Sequence, residues 1–272
     1  MNADLTVVVV GDETSQRRRS MDALAAQSDA PSSVLQTTWG DLEKGMASVS
    51  SEWVAILPDG AEPSPDWISL LDSHLSNPEA GCVGGRVLEF DDAAMSARWF
   101  CDEPRPAWID WLGRIHSRLC DIPETRLVTS TAFLRLEGVA MRTEDVSLSI
   151  LTGLERWTRF EMSACFRAQG LGRAVVFDSA LVVCAISDVG HRLPAPGDLG
   201  AWEAYGRCEV ELLRHYPRQL LAAWLTARSL LVGSRVSPGI ALWPLYATAP
   251  SRNLRWRAVV RGKLRGLVGV GY

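Results

Sequence analysis

The side chains in this 272-residue chain best placed to do chemistry are carboxylates standing in turns directly after apolar runs. Asp12 and Glu13 follow the β-branched run Leu5–Val10, and Asp59 follows residues 52–57 within Pro58-Asp59-Gly60. Carboxylate oxygens are the ligands hard divalent cations prefer, and they accept hydrogen bonds from polar ligands. Other chemistries find less support. Cys82, Cys101, Cys120, Cys165, Cys184 and Cys208 contain no C-x-x-C pair, so they read as reduced core thiols rather than a zinc site. His74, His116, His191 and His215 lie far apart. Three fall within helical patterns, and His191 alone stands in a loop after a strand, near Asp188, where a surface histidine is the commoner outcome. The chain has no G-x-G-x-x-G, no G-x-x-x-x-G-K-[ST], no G-x-S-x-G and no H-E-x-x-H.

These turn acids need elements to hold them, and the pattern supplies a βα alternation. Strands are expected over Leu5–Val10, 33–38, 52–57 and 81–90, with Gly84-Gly85 as a bend in the last. Helices are expected over 15–27, weakly over 41–48, and from Ser64-Pro65-Asp66 onward, with Ser64 as cap and Pro65 at the first helical position. Further on, 104–119 reads as helix, 126–136 as strand, 157–169 as helix stopped by Gly170, and 173–183 as strand interrupted at Asp178-Ser179. Such a rhythm predicts an α/β fold whose open, largely parallel sheet has helices on both faces and binds ligands at the carboxyl ends of its strands. That rule selects 11–13 and 58–60. The Pro/Gly-rich stretch 188–200 marks a boundary between domains 1–190 and 191–272, the second helical over 201–215 and 217–233 and basic to its end.

The net charge of −4 argues against general nucleic-acid binding but conceals an asymmetry. Residues 201–272 carry eleven Lys and Arg against three Glu, a net of +8 beside −12 for the rest. A basic tail suits either an anionic membrane surface or docking on the acidic body. Its basic residues spread around the whole helical circle, which weakens an interfacial-helix reading. Neither a secretory leader nor a clean transmembrane span is visible, since 219–246 holds Arg228, Arg235, Pro238 and Pro244. The expected location is cytoplasmic, with peripheral contact at the inner membrane face through the tail.

The order of segments resembles glycosyltransferase family 2, enzymes of the GT-A fold. The resemblance rests on Val7–Val10 with Leu24-Ala25-Ala26-Gln27, on residues 52–60, and on Pro65-Asp66-Trp67-Ile68. It continues through Gly84-Gly85-Arg86-Val87, Gly138-Val139-Ala140-Met141-Arg142, residues 157–170 with the following strand, and 211–217. It implies transfer of a sugar from a nucleotide-sugar donor to the hydroxyl of a glycan, lipid-linked or small-molecule acceptor, with divalent Mg or Mn as cofactor. Asp12, Glu13 and Asp59 then take the nucleotide-binding places. Asp59 is also the metal ligand, with Glu62 and His191 as its nearest helpers, and Glu161 is the catalytic base.

The departures lie at these same places. The family's Asp-x-Asp is Pro58-Asp59-Gly60 here, acidic only in the middle, so metal is expected to bind weakly. The base position aligns with Thr158-Arg159, which leaves Glu161 to act from a shifted register or to pair with Arg159 or Arg167 on the helix surface. Arg159 near the leaving diphosphate would replace part of a metal's charge. Two alternatives stay open beside the enzyme: a degenerate GT-A module that binds a partner or glycan without turnover, and a generic Rossmann-like binding domain.

Overall fold

The computed structural model describes residues 4–91, 96–99, 107–109, 115–117, 126–131, 134, 136–146, 160–186, 194–195, 197–234, 237–246 and 249–268. They fall into two compact units: a sheet unit of the described residues up to 186, Ile109 apart, and a helical unit from 194 onward. In chain order the first contains β1 (Leu5–Val10), α1 (Thr14–Ala25), β2 (Ser33–Thr37), α2 (Leu42–Ala47), β3 (Trp53–Pro58), β4 (Glu62–Pro63), α3 (Trp67–Leu75), β5 (Ala80–Asp91) and β6 (Ser96–Trp99). The short strands β7 (Ala107–Ile109) and β8 (Ile115–Ser117) come next, then β9 (Val128–Ser130), β10 (Val139–Arg142), α4 (Phe160–Gly170) and β11 (Ala174–Ile186).

Every residue of β1 and β3 is buried, as a continuous apolar strand covered on both faces requires. The nine-stranded sheet runs β2-β1-β3-β10-β5-β11-β4, with β6 added to β5 and β9 to β11. β1 is parallel to β2 and β3, and β11 is parallel to β5. β10 lies antiparallel between β3 and β5, so all five long strands point the same way.

Alternation along the strands divides the core. Val7, Val9, Ala55, Leu57, Val83 and Ala140 pack with Leu24 of α1 and Trp67, Ile68, Leu71 and Leu75 of α3. Their neighbours Val8, Val54, Ile56, Cys82 and Met141 are equally buried but belong to the other face. α4 covers that face over β5, β10 and β11, with Ala168 lying against Gly81.

Three local expectations are corrected. Within 104–119 the described residues form β7 and β8, which pair with one another instead of extending a helix. Among the described residues of the expected 126–136 strand, only Val128–Ser130 form a strand. α3 starts at Trp67 with no side-chain cap from its own N-terminal residue. Its Ile68 N–H instead donates to Gln27 Oε1 at 3.1 Å, while Gln27 Nε2 donates to Ser64 O at 2.7 Å. The glutamine after α1 thus takes the capping role expected of Ser64.

The helical unit contains α5 (Leu199–Arg214), α6 (Gln219–Leu231), the single turn α7 (Trp243–Tyr246) and α8 (Pro250–Val268). Asp198 caps α5, accepting from Ala201 N–H at 2.9 Å. α5 and α8 touch backbone to backbone: a Cβ on Gly262 would stand 1.8 Å from Glu203 O, and one on Gly206 2.3 Å from Val259 O. The basic tail is therefore a packed helix of this unit. Lys263 turns inward and is fully buried, Arg261 and Arg265 pair with Glu203 of α5, and the Arg255 guanidinium lies 4.8 Å from the Trp202 ring centroid. Among the described residues no helix is long and apolar enough to cross a membrane.

Candidate functional site

The parallel strands β1 and β3 end side by side, and the turns after them bring Gly11, Asp12, Glu13 and Asp59 together. Asp59 N–H donates to Val10 O at 2.8 Å, which carries the sheet ladder one residue past β3. Gly60 follows at φ 83°, a left-handed turn that glycine adopts without strain. Its N–H donates to Gln16 O and to Ser20 Oγ, fixing the turn to α1. The Asp59 side chain is wholly buried and turned toward the start of α1, where Oδ2 accepts from Glu13 N–H at 3.0 Å. Gly11 leaves the room for it, since a Cβ there would stand 2.0 Å from Asp59 Cγ. Arg17 clasps the same turn by donating to Gly11 O. A carboxylate thus already occupies the anion-favouring N-terminus of α1. Asp12 and Glu13 are exposed at the lip.

Glu161 lies in the first turn of α4 and is 1% exposed, so it is not a solvent-facing partner of Arg167 on the helix surface. Arg159 lies outside the described residues, as does His191, the other metal candidate. α4 leads into β11, which runs parallel to β5, so the helix runs back against the strands. From Ala168 over Gly81, seven residues at 1.5 Å each carry Glu161 roughly 10 Å toward the carboxyl ends of the strands. Asp59 and Glu161 therefore belong to opposite faces of the sheet, one on the α1 side and one on the α4 side. The sequence reading missed a further acid, Glu137, which is 5% exposed in the turn entering β10. The next residue, Gly138, donates to Ile56 O at 2.9 Å, so Glu137 enters beside the carboxyl half of β3. Its position next to Gly138 in the resembling segment was the available signal. Glu62 pairs with Arg19 at 2.7 Å and is partly exposed.

Other charged groups of the sheet unit serve its architecture. Arg142 reaches Ala80 O at 2.8 Å, pairs with Glu52 and lies 4.7 Å from the Trp53 ring centroid. Arg173 pairs with Glu144 and, at 2.8 Å, with Asp145. Burial pushes the Asp145 carboxyl up, and Arg173 opposes it. Asp178 sits wholly buried where β11 bulges, accepting from His74 Nε2 at 2.7 Å, from Arg126 Nε at 3.1 Å and from Ala180 N–H at 2.9 Å. Burial alone would raise its carboxyl, but His74 and Arg126 outweigh burial and hold it far below the usual carboxylate range.

A divalent metal does not fit the described residues. No three or more His, Cys, Asp or Glu among them converge on a point that could hold a metal ion. One Asp59 oxygen is already committed to the Glu13 amide inside a buried turn.

No protein-family model matches the sequence, and no curated protein matches it. Solved structures do match. One is GalNAc-T7 crystallised with UDP, GalNAc and Mn2+, with a TM-score of 0.54 over 76% of this chain at 12% identity. The match spans 47% of that protein, so this chain corresponds to about half of its length. The fold is GT-A-like: α/β, with a mixed, largely parallel sheet between helices.

Proposed function

We propose that the sheet unit binds a nucleotide sugar across the carboxyl ends of β1 and β3 and transfers the sugar to an acceptor hydroxyl, as a family 2 glycosyltransferase would. The observation carrying this reading is the joint ending of β1 and β3 beneath the exposed acids Asp12 and Glu13, in a sheet similar to that of a glycosyltransferase crystallised with UDP. Asp12 and Glu13 offer carboxylates to ribose hydroxyls and base N–H groups at the lip. Asp59 shapes the floor, because its carboxylate is spent on the Glu13 amide. Glu161, near the strand ends on the α4 face, takes the proton from the attacking hydroxyl, and no step is routed through a metal.

Calorimetry and thermal shift with UDP and other nucleoside diphosphates test this reading. A ligand present at 100 times its Kd adds about 2.7 kcal/mol of apparent stability, and the shift should be equal with and without Mn2+. Absence of any shift at about millimolar nucleotide, roughly a thousandfold above a micromolar Kd, overturns the site. Glu161→Gln should then lower turnover by about 10²–10⁴-fold while keeping the nucleotide shift. The second reading, a module that binds without turnover, is favoured by the Asp59–Glu13 latch and the missing metal cluster among the described residues. Nucleotide binding with no sugar release or transfer would select it.

A further inference from the structure

After Glu211 the chain contains ten Lys and Arg and no Asp or Glu. In the same region α6 carries apolar side chains on its outer side as well as on its packed side. Ala222, Leu225, Thr226 and Ser229 face inward, where the helix packs on α5, and are buried. The outer side carries Leu220, Trp224, Arg228 and Leu231 at helical spacing, with Leu220 91% and Leu231 56% exposed. Gly239 N–H donates to Val232 O at 2.9 Å, which brings residues 240–246 alongside the end of this stripe. There Ile240, Trp243 and Leu245 are exposed as well. Twelve of the fifteen large exposed hydrophobic residues among those described lie between 199 and 268. An exposed apolar stripe on the side of a helix away from its packed face marks an interaction site.

We propose that the outer stripe of α6 and residues 240–246 form a docking surface for an anionic lipid bilayer. Charge selects this occupant. Arg218 at the start of α6 and Arg228 on the stripe can hold their guanidinium groups at headgroup level while their stems lie along the apolar surface. Trp224 and Trp243 suit the same interfacial depth. A second copy of the chain would bring the same arginines against each other across a two-fold axis, which opposes pairing. The contact differs from the one expected of the tail, because α8 spends Ala258, Val259, Val260 and Lys263 on packing within its own unit. The proposal does not depend on the sugar-transfer reading.

The test is sedimentation of the full chain with vesicles of phosphatidylcholine alone or with about one third phosphatidylglycerol. Capture by the mixed vesicles is expected, falling as salt rises and the charges are screened. Arg218→Ala with Arg228→Ala should weaken it roughly 5-fold per charge. Leu220→Glu with Leu231→Glu should weaken it at least about 100-fold, with an unchanged melting temperature because both side chains are exposed. Should that pair fail to fold, Leu245→Ser read in the same assay replaces it, with roughly 10-fold weakening expected. Three results overturn the proposal: no capture by anionic vesicles, equal capture by neutral ones, or a solution dimer that Leu220→Glu with Leu231→Glu converts to monomer.

Discussion

Asp178 in the sheet unit and Lys263 in the helical unit are both completely buried charged residues, and their surroundings differ in kind. Asp178 is met by ionic side chains: His74 and Arg126 point at it from elsewhere in the sheet unit. Lys263 is met mainly by backbone, donating to Ser229 O and Ser237 O at 2.9 Å each, with Glu209 Oε2 farther away at 3.5 Å. Glu209 is itself occupied by the Ser229 and Ser237 hydroxyls. Ionic partners keep the acid ionised. Carbonyl dipoles compensate the ammonium less completely, so burial lowers the Lys263 pKa, with Glu209 opposing. A buried charge thus locks the strand bulge in one unit and joins three chain segments in the other.

The largest expected effect sharpens this contrast. Asp178→Ala takes the acceptor from His74, from the Ala180 N–H and from the half-exposed Arg126 at the bulge, and the lost hydrogen bonds together should cost about 3–5 kcal/mol in urea unfolding. Gly262→Leu should cost about 3 kcal/mol, because the α5 and α8 backbones must separate. A smaller value would show that the helix contact yields easily. Lys263→Met removes the donor from two buried carbonyls but fills the space, so about 1–3 kcal/mol is expected. A loss greater than that of Asp178→Ala would break the comparison.

The pH profile separates the two charges by sign. The folded pKa of Asp178 lies below its unfolded value, so its contribution is full above about pH 4 and is lost as pH falls through the folded value. Lys263 has a folded pKa below its unfolded one, so stability should rise with pH across that alkaline interval. Melts of the wild type, Asp178→Asn and Lys263→Met would show one wing vanish in each variant. The smallest effect belongs to Arg265→Ala, which removes an exposed pair with Glu203 and should change stability by less than about 1 kcal/mol.

How much of this was legible follows physical lines. β1 and β3 announced themselves as uninterrupted apolar runs, and the turns after them were located by the sheet rule alone. The break at Asp178-Ser179 was visible as polar residues inside a strand. Its partner His74 was not, because 104 residues of sequence separate them. Glu161 was reached through family resemblance, yet its burial reversed the reading of a solvent-facing pair. Glu137 was marked only by its place beside Gly138 in the resembling segment, and its burial was not legible, since an acid before a turn glycine looks the same exposed or buried. The tail's basic residues spread around the helical circle because α8 is wrapped: Lys263 serves the interior and Arg261 and Arg265 serve α5. The outer face of α6 was legible as apolar sequence, but only the fold shows which side is left open.

One topological detail bears on how the chain reaches this state. β10 is the wedge between β3 and β5, pairing Val139 with Ile56 and Ala140 with Val83, and it is translated long after both. Until it arrives, the parallel β2-β1-β3 fragment and the antiparallel β5-β6 pair present open apolar edges to each other and to neighbouring molecules. Pairings this distant in sequence close slowly, and unpaired edges in the interval invite association. The chain should accordingly refold slowly from dilute denaturant and lose yield as its concentration rises, with the commitment step set by the insertion of four residues, Val139–Arg142.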